Sequence, residues 1–350
     1  MEPINYVLPL TDKILEINPS EFKYDSNPSP KLIKYGFNNI TEKLDLETIT
    51  SIPQYRAGLN FDFESTDKNS IAIKLATLFK IKNIDPTLAE FWEILTIFGL
   101  LKTNQNIYTS NPKTVNDIIN VYQSLTKTKN TYDVTDKAIK KASLIIFKYG
   151  DSDVDIDESV GIQLLTNNLG ELLAMQAKGA SMILQLFGLQ TQISAEFIYY
   201  LSTLYNEAYL TKPIIASDLS NSRYIVLKGL KDVPPKNISF TMSSKKKNTM
   251  YLTSIGLNHI PIDVDTVIQC MNATIIPLRY KKYNQIKDFL NTKVYEGITY
   301  QTMIQQQYQN AQKWVDLFGN LSEIEKIFDQ SLKKTMGTCG NYAQLYELLK

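Results

Sequence analysis

The sequence predicts an α/β protein with a mainly parallel sheet, an N-terminal arm with helices and a C-terminal helical appendage. Between about residues 104 and 232, short apolar segments alternate with segments of helical periodicity, which is typical of a parallel sheet covered by helices. The segment SLIIF at 143–147 is continuously apolar, as in a strand that is buried on both faces. The predicted strands at 208–212 and 223–228 are too closely linked for a helical crossover, so we expect them to pair antiparallel at or near a sheet edge.

The other elements follow from periodicity and from turn or capping residues. Apolar residues at helical spacing predict two helices between 69 and 102, and Pro86 suits the first turn of the second helix. Gly179 is expected to end the helix that follows the acidic residues 151–158, and Ser194 is expected to cap the next helix. Further strands are predicted at 105–110, 141–147 and 181–187. Further helices are predicted near 31–43, after Pro112, at 164–173, 197–204, 263–274, 281–292 and 299–333.

These elements divide the chain into three parts. We predict an N-terminal arm and helical region over 1–103, a single α/β domain over 104–232, and a linker with the helical appendage over 233–350. Trp92 and Trp314 are expected to pack the helical layers, with a role as anchors of a protein interface as the alternative.

The charge of the chain is balanced. Its 37 lysine and arginine residues and 36 aspartate and glutamate residues give a net charge of +1, so no overall attraction to nucleic acid or an anionic membrane is expected. RNA contact would need a local basic patch, for which Lys245, Lys246 and Lys247 in the polar segment 234–250 are the candidates; a solvated linker is the alternative. Two cysteines and one histidine predict no metal site, and the acidic residues 151–158 lack the spacing of a calcium-binding EF-hand loop.

A stretch of about 55 residues, 178–231, resembles the C-terminal part of FtsJ-like 2′-O-methyltransferases. The family pattern is matched in order and without a gap by Gly179, an apolar strand to Leu184, Phe187, an aromatic-rich helix over 197–205, Lys212-Pro213, the segment YIV at 224–226 and Lys228-Gly229. With the preceding strand and helix from Lys141, the resemblance covers about 90 residues. It implies a Rossmann-like methyltransferase sheet that is mainly parallel and whose last strand is antiparallel.

The resemblance also implies a site, and this chain departs from it at each position that can be aligned. FtsJ-like enzymes use a Lys–Asp–Lys–Glu tetrad, in which a lysine removes the proton of the ribose 2′-hydroxyl that attacks the methyl sulfonium. Lys148 stands at the position of the aspartate, Gln185 at that of the lysine that ends a strand, and Ser222 at that of the glutamate. The glycine-rich turn for S-adenosylmethionine is replaced by Ser110, Asn111, Pro112, Lys113 and Thr114. We therefore expect no catalytic residues and no cofactor.

A methyltransferase fold without catalytic residues is similar to the small, non-catalytic subunit of poxvirus-type mRNA-capping enzymes. That subunit binds the large capping subunit and stimulates its guanine-N7 methyltransferase, and residues 28–38 look like an early segment of it. The resemblance implies a regulatory subunit without activity of its own, in a heterodimer with a large catalytic capping subunit, with RNA or RNA polymerase as indirect partners. Two alternatives stay open: an active 2′-O-methyltransferase with a rearranged site, which would bind S-adenosylmethionine, and an RNA-binding structural component of a transcription complex.

The sequence also bears on the compartment. No apolar run reaches the roughly 18 residues of a membrane-spanning helix, and the N-terminus lacks the charged-then-apolar layout of a signal peptide. We expect a soluble cytoplasmic protein without a membrane partner. The composition is rich in Asn, Lys, Ile and Tyr, a bias typical of AT-rich genomes such as those of some large DNA viruses, which would place it in the host cytoplasm or the virion.

Overall fold

The computed structural model describes residues 3–28, 71, 77, 86–149, 158–217, 220–232, 238–240, 250–257, 259–292 and 298–348. These residues form a seven-stranded sheet with helices on both faces and a separate two-stranded sheet. The strands are β1 (Ile4–Val7), β2 (Lys23–Asp25), β3 (Gln105–Thr109), β4 (Tyr132–Thr135), β5 (Ala142–Phe147), β6 (Gln176–Phe187), β7 (Tyr205–Lys212), β8 (Ser222–Leu230) and β9 (Tyr251–Ser254). The helices are α1 (Pro86–Ile97), α2 (Pro112–Thr126), α3 (Glu158–Ala174), α4 (Gln192–Leu204), α5 (Ile262–Thr292), α6 (Ile298–Phe318) and α7 (Leu321–Leu348).

Five of the seven strands of the central sheet point in the same direction, and their order is β1-β7-β8-β6-β5-β3-β4. The strands β4, β3, β5 and β6 are parallel, β8 lies antiparallel between β6 and β7, and β1 is antiparallel to β7. This mixed α/β architecture with a mainly parallel sheet confirms the predicted fold class and is consistent with a Rossmann-like methyltransferase fold. The predicted antiparallel pairing of β7 and β8 is also confirmed.

The central strands are buried because helices pack on both faces of the sheet. In β5, Ile145 lies in one apolar core, whereas Leu144 and Ile146 lie in the other. The first core is completed by α3, α4 and the beginning of α5, and the second by α1, α2 and α6. The continuously apolar segment SLIIF is therefore explained by a strand between two helical layers.

The structure corrects two predicted features of the helices. The helix α3 ends at Ala174, and Gly179 lies inside β6 with a φ of 77°, at an irregularity in its register with β5. Glycine at positive φ suits a strand bulge as well as a helix end, so the residue type alone does not distinguish them. The N-cap of α4 is Thr191 rather than Ser194, because the Thr191 hydroxyl accepts the Ser194 backbone N–H, and Ser194 is the third residue of the helix.

The two edge strands of the central sheet, β1 and β4, are not predicted from the sequence pattern. Each has four residues, which is too short for an alternating pattern to stand out. The helix α7 packs against β1: Asn5 Nδ2 donates to Ser331 Oγ (2.9 Å), and Thr335 Oγ1 donates to the Asn5 carbonyl (2.6 Å). The N-terminal arm thus supplies a strand of the central sheet, while the predicted three-part division of the chain stays a prediction.

The C-terminal appendage contains the long helices α5, α6 and α7. The helix α5 runs without a break over both predicted segments, 263–274 and 281–292. The predicted helix over 299–333 is two helices, separated at Gly319 and Asn320. The Asn320 side-chain oxygen accepts the backbone N–H two residues later (3.2 Å), which caps the start of α7.

Both tryptophans pack helical layers, as the sequence predicts. Trp92 on α1 is buried, and its Nε1 donates to the carbonyl of Phe318 at the end of α6 (2.9 Å). Trp314 on α6 is also buried, and its ring lies 5.0 Å from the ring of Phe318. The appendage is therefore held on α1 through the second apolar core.

Several predictions fall outside the described residues. These are the helix near 31–43, most of the helix between 69 and 85, and the acidic residues 151–157. Among the helices that the structure describes, none combines the length and apolar character needed to cross a membrane.

Candidate functional site

The predicted site residues gather at the carboxyl ends of the parallel strands. From β3 the chain passes to β4 on one side, and from β5 it passes to β6 on the other. In open α/β sheets, ligands bind in the crevice outside the carboxyl ends of the strands where this direction changes. Ser110 follows β3 and Lys148 follows β5, so both lie at the expected position of such a crevice.

The loop after β3 is hydrogen-bonded to the loop after β5. The Ser110 hydroxyl donates to the carbonyl of Lys148 (2.9 Å) and accepts the backbone N–H of Lys148 (3.1 Å). Pro112 then opens α2, with Lys113 exposed and Thr114 buried. Asn111 is the N-cap residue of α2, but its side chain makes no capping bond. The Ser110 hydroxyl thus connects the ends of β3 and β5. At this position FtsJ-like enzymes have the glycine-rich turn that lets a cofactor approach the backbone.

The Lys148 side chain forms a buried ion pair with a carboxylate from α1. Its Nζ lies 3.1 Å from Glu90 Oε2, and the two side chains are 4% and 8% exposed. It also donates to Thr87 Oγ1 (3.4 Å), and the Tyr224 hydroxyl donates to the same Glu90 oxygen (2.8 Å). Two desolvated charges stabilise a fold only when both are well paired. The loss of either Lys148 or Glu90 would therefore leave the other as an uncompensated buried charge.

Gln185 and Ser222 are brought into contact across two adjacent antiparallel strands. Gln185 Nε2 donates to Ser222 Oγ (2.8 Å), and Gln185 Oε1 accepts the backbone N–H of Tyr149 (3.0 Å). Both side chains are buried, on β6 and β8. Gln185 and Ser222 are thus direct neighbours, and an amide and a hydroxyl in mutual contact provide no base of the kind that removes a ribose proton.

A second buried lysine, Lys212, which matches the family pattern but was not predicted as a site residue, lies at the end of β7. The Lys212 ammonium donates to the carbonyls of Ser217 (2.8 Å), Ser220 (2.9 Å) and Ser222 (3.4 Å). These carbonyls belong to the connection that leads into β8 and to its first residue. Lys212 therefore fixes the β7–β8 connection next to the Gln185–Ser222 pair.

Glu93 is the second buried carboxylate of α1. Its two oxygens accept the backbone N–H of Ile214 (2.7 Å) and the Nε1–H of Trp314 (3.0 Å). Burial raises the pKa of Glu93 from 4.5 to about 7, and the two hydrogen bonds offset part of this rise. A signal for Glu90 and Glu93 exists in the sequence: two glutamates three residues apart stand within the largely apolar segment 88–97.

The raised pKa of Glu93 predicts a pH-dependent stability. Between pH 4.5 and about 7 the folded state keeps a proton that the unfolded state has lost, so the stability falls as the pH rises through this window. We expect the free energy of unfolding of the wild type to drop by roughly 3 kcal/mol relative to Glu93→Gln between pH 4.5 and 7.5. Urea unfolding of both proteins at several pH values measures this difference, and identical pH profiles would contradict it.

The space beside Gln185 is small. The pocket lined by Gly161, Gln185, Phe187 and Gly188, among others, has an empty volume of about 290 Å³, part of it open to solvent. Within the described part of the chain, no group of three or more His, Cys, Asp or Glu residues could hold a metal ion.

The predicted RNA-contact residues cannot be placed. Lys245, Lys246 and Lys247 lie outside the described residues. Of the polar residues predicted for the site, the structure therefore brings together Lys148, Gln185 and Ser222 with the loop after β3, and it adds Glu90 and Lys212 as buried partners.

Comparison with known proteins identifies a viral relative. An uncharacterized protein of Acanthamoeba polyphaga mimivirus, R383, is 43% identical over 352 aligned residues, which cover 99% of each chain. No family model matches the sequence.

Solved structures give weaker likenesses. A chain described as a ribosomal RNA methyltransferase of Plasmodium falciparum aligns with 41% of this chain and 96% of its own length, at 14% identity and a TM-score of 0.31. Phosphoethanolamine N-methyltransferase 1 of Haemonchus contortus aligns with 64% of this chain and 59% of its own length, at 10% identity and a TM-score of 0.26. Both TM-scores lie below 0.5, and neither likeness bears on the function.

Proposed function

We propose that this chain, which belongs to the same protein family as R383 of Acanthamoeba polyphaga mimivirus, is a non-catalytic subunit of a viral mRNA-capping enzyme. In this role it binds and stimulates the guanine-N7 methyltransferase of that enzyme. The observation that carries the proposal is the state of the predicted catalytic positions. Each of the three side chains, those of Lys148, Gln185 and Ser222, bonds to other residues of the protein. Lys148 pairs with Glu90, and Gln185 donates to Ser222 and accepts from the backbone of Tyr149.

Methyl transfer to a ribose hydroxyl needs a base within hydrogen-bond reach of the reacting proton. The Gln185 amide has no basic nitrogen, and Ser222 accepts a hydrogen bond from it. Lys148 carries the opposite charge to the aspartate it replaces, and its ammonium is paired with Glu90 of α1. These features support a chain that has kept the methyltransferase scaffold without its chemistry.

A scaffold without a site of its own can act by docking. A partner that binds the active conformation of an enzyme preferentially shifts the enzyme population toward that conformation, and this raises its activity. The similarity of residues 178–231 and 28–38 to capping proteins, and membership of a viral family, favour a large capping subunit as the partner. The heterodimer would work in the host cytoplasm or in the virion, and it would reach RNA polymerase through the complex.

S-adenosylmethionine separates this proposal from an active 2′-O-methyltransferase. Millimolar S-adenosylmethionine should leave the Tm of the purified full chain unchanged, because no site for it is expected. A ligand at 100 times its Kd would add about 2.7 kcal/mol of stability, which is a shift of several degrees. A measured rise of that size, or methylation of capped RNA by the chain alone, would overturn the proposal.

The partner is tested by affinity purification of the tagged chain from its native source. The bound fraction should transfer a labelled methyl group from S-adenosylmethionine to the guanine N7 of a GpppG-capped RNA. Removing the chain from this fraction should lower the rate, and adding the purified chain back should restore it. A bound fraction without N7 activity would count against the proposal.

A further inference from the structure

A row of lysines lies at the amino ends of three adjacent strands, opposite to the site described above. We name the lysine rim as Lys102 before β3, Lys127 and Lys129 before β4, and Lys140 and Lys141 before β5. All five are exposed. The strands lie side by side in the order β4-β3-β5, so the rim follows one end of the sheet over about 10 Å at the usual strand spacing.

The hydrogen bonds of the backbone fix these turns against one another. Gln105 at the start of β3 donates its N–H to the carbonyl of Thr131 (3.1 Å), and its side chain accepts the N–H of Lys102 (2.8 Å). Asn106 donates its N–H to the hydroxyl of Ser143 in β5 (3.0 Å). The three turns therefore present their lysines from one connected surface.

The rim is strongly charged within a chain whose net charge is only +1. The three segments 98–104, 127–131 and 136–141 contain six lysines and a single acidic residue, Asp136. Other described acids lie near these turns: Asp133, exposed on β4, Glu171, exposed in the last turn of α3, and Glu207, which is bonded to Lys228 (2.9 Å) and whose pKa is lowered in part by Lys102. None of the described ion pairs involves a rim lysine.

Two of the rim lysines adopt a left-handed backbone conformation. Within the described part of the chain, the non-glycine residues with positive φ are Asn104, Lys127 and Lys141, at 55°, 54° and 63°, and all three lie in these turns. Glycine, and to a lesser degree asparagine, adopts this left-handed conformation without the Cβ clash that other residues incur. Lys127 is the left-handed C-cap residue of α2, an ordinary place for this conformation, and Lys141 adopts it directly before β5.

We propose that the lysine rim binds the phosphate backbone of RNA. Lysine ammonium groups neutralise phosphates as point charges, independently of the base sequence. A protein partner is the weaker reading, because protein interfaces are centred on apolar or aromatic anchors. None of the exposed large hydrophobic side chains of the described residues lies between 98 and 141. This surface goes beyond the proposed subunit role, since it needs no capping partner and lies at the opposite end of the strands from Lys148.

The test is the binding of a fluorescein-labelled 20-nucleotide uridine RNA to the full chain, followed by anisotropy at several salt concentrations. Lys129→Gln/Lys140→Gln/Lys141→Gln should weaken binding roughly 100-fold at 0.1 M salt, and it should reduce the slope of log K against log salt by about 2. The matched control is Lys13→Gln/Lys313→Gln/Lys333→Gln, which removes the same charge from exposed lysines elsewhere and should bind like the wild type. Equal losses in both triple variants would overturn the proposal.

A second variant separates the charge from the turn geometry. Lys127→Gly/Lys141→Gly removes two charges and relieves two left-handed lysines, so its Tm should rise while its RNA affinity falls roughly 25-fold at 0.1 M salt. A rise in Tm with unchanged RNA affinity would show that Lys127 and Lys141 only shape the turns, and it would contradict the proposal. Binding of poly-L-glutamate with the same dependence on the rim, and no binding of RNA, would instead assign the surface to an acidic protein.

Discussion

Replacing Glu90 by alanine is expected to lower the free energy of unfolding by about 3–5 kcal/mol. The substitution leaves the Lys148 ammonium at the end of β5 buried without the carboxylate that lies 3.1 Å away, and it removes the acceptor of the Tyr224 hydroxyl. An uncompensated buried charge costs far more than the net stabilisation of the intact pair. Urea unfolding at pH 7, followed by far-UV circular dichroism, measures the loss.

The matched control removes both charges together. In Glu90→Gln/Lys148→Met the glutamine still offers an acceptor to Tyr224, and methionine fills the volume of the lysine chain. This double variant should lie within about 1 kcal/mol of the wild type, because a buried ion pair can often be replaced by uncharged groups of similar volume. A loss in the double variant as large as the sum of the two single losses would show that the charges are not coupled.

Replacing Trp314 by alanine is expected to cost about 3–5 kcal/mol, as for other large aromatic residues in a core. Trp314 is 1% exposed, packs on the ring of Phe318 and donates its Nε1–H to Glu93. Its removal opens a cavity between α6 and α1, and it takes away a hydrogen bond that lowers the pKa of Glu93.

Two controls on the same helix separate the contributions. Trp314→Phe keeps most of the ring but has no N–H, so it should cost about 1–3 kcal/mol, the range for a buried acceptor left without its donor. Tyr308→Ala replaces a side chain that is 53% exposed and should change the stability by at most about 0.5 kcal/mol. A loss for Trp314→Ala no larger than that for Tyr308→Ala would show that α6 is not anchored through the tryptophan.

Both large effects involve a buried carboxylate of α1, Glu90 in the first case and Glu93 in the second. The carboxylates of α1 point to two regions of the fold: Glu90 to the ends of β5 and β8, and Glu93 to α6 and to the connection after β7. Glu90 therefore binds Lys148 at the position where the resemblance places the aspartate of an active tetrad. The Glu90–Lys148 ion pair thus also attaches α1 to the end of the sheet.

The sequence by itself determined the class of the fold, and the resemblance assigned Lys148, Gln185 and Ser222 to the predicted site. Periodicity within a segment depends only on that segment, so the apolar SLIIF strand, the helix opened by Pro86 and the closely linked antiparallel strands could be read directly. The chemical type of Lys148, Gln185 and Ser222 also followed from the aligned positions alone.

Only the tertiary structure decided the partners of these residues. Glu90 is 58 residues from Lys148 in the chain, and Asn5 of β1 is 206 residues from the Thr211 hydroxyl that donates to it. The edge strands, the ion pair and the lysine rim join segments distant in sequence, and no local repeat encodes which of them meet. They are set by the burial of two apolar cores, which fixes the order of the strands and with it the neighbours of every polar side chain at their ends.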